Sequence, residues 1–228
     1  MSLYTIYSKT QAQLVENLAK VGAFKSDRVK KALLSVDRAD FTANQPYFDM
    51  PQPIGFGATI SAPHMHASAL EHLEDVLTKD NATVLDVGSG SGYLCAAFAK
   101  MLGPNGKVVG IDHIPELVQM SEKNIRLNNA DLLDSGKLIL IAGDGRLGYP
   151  PLEPYDAIHV GAAASDLPKQ LIEQLAVNGR MLIPVGPPGH QDFLQIDKVS
   201  STEIRQKKLA AVVYVPLTNK EHQLGRRN

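Results

Sequence analysis

Three carboxylates stand where three apolar runs end. Asp86 follows Ala82-Thr83-Val84-Leu85, Asp112 follows Val108-Val109-Gly110-Ile111, and Asp144 lies between Gly143 and Gly145 after the run at residues 137–141. Between the first two comes a loop with glycine at alternate positions, Gly88, Gly90 and Gly92, and then a helix-forming stretch, Leu94-Cys95-Ala96-Ala97-Phe98-Ala99. Strand, glycine loop and helix make the ligand-binding start of a βαβ unit, because glycine turns the backbone sharply and admits a ligand close to it.

The spacing argues against a dinucleotide. The dinucleotide fingerprint is G-x-G-x-x-G; here Tyr93 occupies the position of its third glycine. Asp86, just ahead of the loop, would repel a pyrophosphate lying at the helix N-terminus. It suits a ligand with cationic groups, and S-adenosylmethionine fits, carrying an ammonium and a sulfonium but no phosphate. Asp112, 20 residues after Gly92, can accept from ribose hydroxyls, or cap the next helix, or both. Asp144 can accept from an adenine amine, or stand in a plain turn.

Other function classes fit the composition less well. The 228 residues suffice for one large domain, 44% are apolar, and 23 Lys plus Arg balance 24 Asp plus Glu. That is no basic footprint for nucleic acid, and Arg205 to Lys208 reads as a solvated strand edge. No apolar run is long enough to span a bilayer, and MSLYTIYSK lacks a secretory pattern. Cys95 is the only cysteine, so a reducing, cytoplasmic setting fits and Cys95 reads as a small core residue. No cluster of Cys, His and acids points to a metal site, and a monomer is the default expectation.

The elements that must position these residues follow from periodicity. Two amphipathic helices are expected at residues 11–21 and after Ser26, a candidate N-cap, followed by an irregular Pro- and Gly-rich segment at residues 44–57. A helix at 63–77 precedes a strand at 82–87. Further strands are expected at about 107–111, 137–141, 156–160 and 180–185, with helices at about 94–101, 114–128 and 167–176 between them. Runs at 193–199 and 204–215 close the chain as a hairpin. The whole predicts an α/β fold: a Rossmann-like, doubly wound, mostly parallel sheet with an antiparallel edge hairpin, preceded by a helical segment. A single domain over 1–228 is expected, with residues 1–58 as a lid and 59–228 as the binding core.

Two further segments carry candidates. In ATISAPHMH, residues 58–66, Ser61 could cap the helix starting at Pro63 or face a ligand. In the fourth strand and its end, Val160-Gly161-Ala162-Ala163-Ala164, small side chains would leave a floor of backbone amides able to bind a peptide.

Together these segments resemble the protein-L-isoaspartate (D-aspartate) O-methyltransferase family. The matching pieces are Gly55-Phe56 with ATISAPHMHA, then LDVGSGSGY, VGIDHI, GDGRLGY, PYDAIHVGAAA, GRMLIPVG and YVPLTNKEHQ, in order from residue 55 to 223. The resemblance implies a class I methyltransferase with S-adenosylmethionine as donor, S-adenosylhomocysteine as product, and isoaspartyl proteins and peptides as acceptors. By position it implies Ser61 as the active-site serine, and Thr59, Ile60 and His66 beside cofactor and substrate. Ser89, Asp112, His113, Asp144 and Gly145 would contact the cofactor with Asp86 and the glycine loop. Thr218 and Gln223 would belong to a C-terminal segment closing over it, and Val160 to Ala163 would hold the substrate.

The implied chemistry suits a chain with no obvious general base. An α-carboxylate is already ionised at neutral pH, so methyl transfer needs positioning and desolvation rather than deprotonation. The ester would then cyclise unaided to a succinimide, whose hydrolysis returns some normal aspartate. A methyltransferase acting on a small metabolite is the alternative.

Overall fold

The computed structural model describes residues 7–225. Helices α1 (Gln11–Lys20) and α2 (Asp27–Ser35) open the chain. Thr10 caps the first by accepting from the amide of Gln13, and Ser26 caps the second through the amides of Arg28 and Val29. They bury Leu14, Val15 and Leu18, and Val29, Ala32 and Leu33, at helical spacing.

The segment expected to be irregular contains a two-stranded antiparallel ribbon, β1 (Gln52–Gly55) and β2 (Ala58–Ile60), which carries the chain across residue 58. Pro53 masks its alternation, which an edge position tolerates. Its turn runs through Gly55, Phe56 and Gly57, all at positive φ. Helix α3 (Pro63–Leu73) is shorter than the expected 63–77, because its last turn tightens to a 3-10 helix at Glu74–Val76.

The main sheet has seven strands, among them β3 (Thr83–Val87), β4 (Lys107–Asp112), β5 (Leu138–Ala142) and β6 (Tyr155–Val160). Then come β7 (Leu175–Val185), β8 (Gln191–Lys198) and β9 (Ile204–Val212). Their order is β5-β4-β3-β6-β7-β8-β9, parallel from β5 to β7 and antiparallel in the last two pairs. This is the class I, Rossmann-like arrangement, with β9 as the exposed outer edge bearing Arg205, Lys207 and Lys208. The crossovers are α4 (Tyr93–Met101), α5 (Pro115–Asn128) with the short α6 (Ala130–Asp134), and α7 (Lys169–Gln174). A single turn such as α6 is too short to show a period in the sequence.

Two boundaries moved. Helix α7 is shorter than the expected 167–176, and β7 starts early through Asn178 at φ 64°, where its register with β6 shifts. The last strand ends at Val212 rather than 215. Residues 213–215 turn back over the sheet, where Val215 accepts from the amide of Ala163 at 2.7 Å.

Helix α4 shows why the glycine loop is held still. Nearly every residue in it is buried, since it lies between the sheet and the N-terminal helices and shares an apolar cluster with Leu14, Leu33 and Leu70. Strand β3 has β4 on one side and β6 on the other, so the strand order reverses at it and opens the crevice in which such sheets bind ligands. Among the described residues no helix is long and apolar enough to cross a membrane.

Candidate active site

The glycine loop turns through positive φ at Gly88, Gly90 and Gly92. Its amides are already spent: those of Gly88 and Ser89 donate to the carbonyl of Ile111, that of Gly90 to Asp112 Oδ2 at 3.0 Å, and that of Gly92 to the carbonyl of Ser89. A phosphate cradle needs such amides free, so the loop is not built for a pyrophosphate. It offers room and carboxylates instead.

A cleft partly open to solvent lies over this loop. Thr59, Gly88, Gly90, Asp112, His113, Asp144, Gly145, Gly161, Ala162, Thr218 and Gln223 line it. Asp112 does two jobs, since its Oδ1 also accepts from the amide of Ile114 at the start of α5. Burial pushes its carboxyl up while these two amides pull it down. The remaining lone pairs can still accept from hydroxyls. Asp144 stands in the turn: it accepts from the amide of Arg146, and Arg146's guanidinium keeps its carboxyl below the ordinary range. Gln223, on α8 (Lys220–Gly225), closes the cleft. Its Oε1 lies 2.9 Å from His113 Nε2, and its Nε2 donates to the carbonyl of Phe56.

A second, open cleft is lined by Pro51, Ser61, His64, Met65, Val213, Tyr214 and Val215. A third, small cavity lies between the two and is lined by Ile60, Ser61, His66, Asp86, Ser89 and His159. Thr59 and Gly161 border all three, and Ser61 borders the second and third. Ser61 thus stands where the loop side and the open side meet. It does not cap α3: the N-cap is Ala62 without a side-chain bond, and Asp49 accepts from the amide of His64 instead. Burial pushes the Tyr214 phenol up to about 12, opposed by hydrogen bonding with Ser61.

Behind Ser61 the polar groups are buried and interlocked. Arg38, wholly buried, donates through Nη2 to the Ser61 carbonyl at 2.6 Å and through Nη1 to His66 Nδ1 at 3.2 Å. A guanidinium can only donate, so Nδ1 of His66 is the bare nitrogen. Burial, with Arg38 adding to it, holds His66 neutral. Asp86 is met from two sides, by His159 Nδ1 at 2.7 Å and by the Cys95 thiol at 3.0 Å. Burial and this carboxylate push the Cys95 thiol well up, so it stays protonated. Ser89 Oγ is buried with no partner among the described residues, a hydroxyl left for a ligand.

Gly92, Val160 and Ala163, expected in the site, line none of these cavities. A Cβ at Gly92 would lie 2.9 Å from Ser121 Cβ, so this glycine lets α4 pack on α5. Val160 is an interior residue of β6. The amides of Gly161, Ala163 and Ala164 donate to Val87, Val215 and Pro184. The expected peptide-binding floor therefore has few amides to give, because the ends of β3 and β7 and the returning segment at 213–217 each take one.

Comparison with known proteins places this arrangement. The model of the family described as protein-L-isoaspartate(D-aspartate) O-methyltransferase matches residues 9–222. The chain belongs to this family. A Caenorhabditis elegans protein-L-isoaspartate O-methyltransferase is 52% identical over 218 residues, covering 95% of this chain and 96% of that one. The wheat (Triticum aestivum) enzyme of the same name is 51% identical, covering 92% of each. A Plasmodium falciparum structure described as such a methyltransferase, in complex with S-adenosyl-L-homocysteine, superposes with a TM-score of 0.87. It is 36% identical and covers 92% of this chain and 99% of that one.

For this protein-L-isoaspartate methyltransferase family member, sequence reasoning missed Arg38, His159, Tyr214 and Cys95 as neighbours of the site. His159 is the register partner of Asp86 across β3 and β6, so strand order alone would have found it. Arg38 had no sequence signal, since it sits in a single 3-10 turn at Arg38–Asp40.

Proposed function

We propose that this chain transfers a methyl group from S-adenosylmethionine to the α-carboxylate of L-isoaspartyl residues in proteins and peptides, with D-aspartyl residues as a second acceptor class. The observation that carries this is the place of Ser61, between an open apolar cleft and the small cavity that holds Asp86 and the glycine loop. When bound, S-adenosylmethionine supplies an electrophilic methyl group on a sulfonium. Asp86, Asp112 and Asp144 suit its cationic and hydroxyl-bearing parts, and Ser89 Oγ offers a free hydroxyl.

The chain's own work is to bind, orient and exclude water. Ser61 donates one hydrogen bond to the acceptor carboxylate and fixes its direction. His66, held neutral, adds no competing charge. Gln223, tied to His113 and Phe56, covers the donor side, and the first 58 residues serve as the lid over residues 59–228. The open cleft, rimmed by Val213 and Val215, suits an extended peptide better than a small metabolite. The product ester leaves and closes to a succinimide without catalysis. We take the chain as a monomer with no membrane partner; its balanced charge offers no basic footprint for nucleic acid, and a single buried thiol supports a cytoplasmic setting.

The test is methyl transfer from labelled S-adenosylmethionine to two peptides differing only in L-isoaspartate or L-aspartate at one linkage. Base-labile ester on the isoaspartyl peptide alone is the expected result; ester on neither, or on both equally, would sink the proposal.

A further inference from the structure

Arg38 is a buried cation with no carboxylate in contact; the carboxylate that acts on it, Asp49, does so from beyond ion-pair distance. Its side chain is fully removed from solvent and makes no ion pair among the described residues. Its partners are neutral: the Ser61 carbonyl, His66 Nδ1, and the face of Tyr93, whose ring centroid is 5.3 Å from the guanidinium carbon. Nε has no partner among the described residues. The other inward-facing cations are treated differently. Arg180 pairs with Asp75 and Asp197, and Lys198 is wrapped by the carbonyls of Ile172, Glu173 and Leu175 at the end of α7. A buried charge left in this condition is costly unless something else answers it.

What can answer it is the acceptor. Ser61 borders the two cavities on the acceptor side, and Arg38 grips its backbone from behind. We propose that Arg38 is a positioning residue for the acceptor: it fixes the Ser61 backbone and sets a positive charge that no carboxylate touches behind the seat of the substrate's α-carboxylate. Burial lowers the Arg38 pKa, but only to about 10, so the charge persists at neutral pH. Because water is excluded between guanidinium and cleft, its pull on an anion is weakly screened. The guanidinium never touches the substrate. It favours a carboxylate over a neutral group of the same shape, which a hydroxyl alone does weakly. This inference rests on the function proposed above.

The test compares wild type, Arg38→Gln and Arg38→Lys with an isoaspartyl peptide as substrate. S-adenosylhomocysteine affinity is measured by calorimetry, and inhibition by the matched peptide carrying an α-carboxamide. Arg38→Gln is expected to raise the peptide KM on the order of tenfold. It should leave the carboxamide's inhibition constant and the S-adenosylhomocysteine affinity within about threefold. Arg38→Lys should restore most of the KM. A KM unchanged in Arg38→Gln, or equal losses for carboxylate and carboxamide peptides, would make Arg38 a packing residue and overturn the proposal. If melting shows that Arg38→Gln does not fold, Arg38→Lys decides: a KM near wild type supports it, and a tenfold rise at unchanged melting temperature overturns it. Absence of ester from the wild-type enzyme would defeat the function itself, whereas ester with an unmoved KM in Arg38→Gln defeats only this role.

Discussion

Around the glycine loop, one short stretch from Asp86 to Gly92 supplies carboxylate, turn and hydroxyl together, and the amides it exposes are paired with the next strand, Ile111 and Asp112. Around Ser61, the groups come from Arg38, His66, His159 and Tyr214, four separate elements that meet only in the folded chain. The donor side is thus a local structure that the backbone completes by itself. The acceptor side is a tertiary assembly whose order depends on the N-terminal helices staying docked. Damage to the first should appear in cofactor affinity and stability together; damage to the second should appear in turnover first.

The largest effect should come from Asp112→Ala. It orphans the amides of Gly90 and Ile114 and removes a ribose acceptor. Loss of charged hydrogen bonds at about 1.5–3 kcal/mol each predicts a cofactor affinity lower by roughly 100-fold and a clear fall in melting temperature. Calorimetry and a thermal melt check both, and intact affinity with lost stability would show Asp112 to be a cap only. Next is Ser61→Ala, which should lower kcat/KM for the isoaspartyl peptide roughly 10–30-fold. Since Ser61 caps nothing, the melt should not move; a lower melt with normal turnover would erase the contrast between the two sides.

Gln223→Ala should be milder. Cutting the bridge from His113 to Phe56 is expected to weaken S-adenosylhomocysteine binding by about three- to tenfold while the peptide KM stays put. The smallest effect is in pH. Folded His66 is kept neutral well below its ordinary value, whereas unfolded His66 takes a proton as pH falls through about 6.5. The unfolded state then binds more protons, so stability falls between about pH 7 and pH 5, by at most about 1.4 kcal/mol per unit from this group. His66→Gln should flatten that slope relative to wild type; equal slopes in the two melts would remove His66 from the account.

The same contrast explains what could be read from the chain. Asp86, the glycines, Asp112 and Asp144 were legible because each sits at a strand end and their spacing is local. The parallel sheet and its edge hairpin followed from the alternation of apolar runs. Pairing of β8 with β7, leaving β9 outermost, was not legible, since the sequence shows a hairpin but not which arm joins the sheet. Nor was the ribbon β1–β2, where Pro53 and two glycines hide the period. That the amides of Gly161, Ala163 and Ala164 are taken was not legible either, since their acceptors, Val87, Val215 and Pro184, lie far away along the chain. Arg38 was silent for the same reason: its meaning lies wholly in what packs on it.

The most direct test of a junction at Ser61 is a structure determined with S-adenosylhomocysteine and an isoaspartyl peptide together. The account predicts the peptide's α-carboxylate within about 2.6–3.2 Å of Ser61 Oγ, bordered by Thr59 and Gly161, with the flanking peptide in the cleft rimmed by Val213 and Val215. A peptide seated elsewhere, or a carboxylate that Ser61 does not reach, would contradict it.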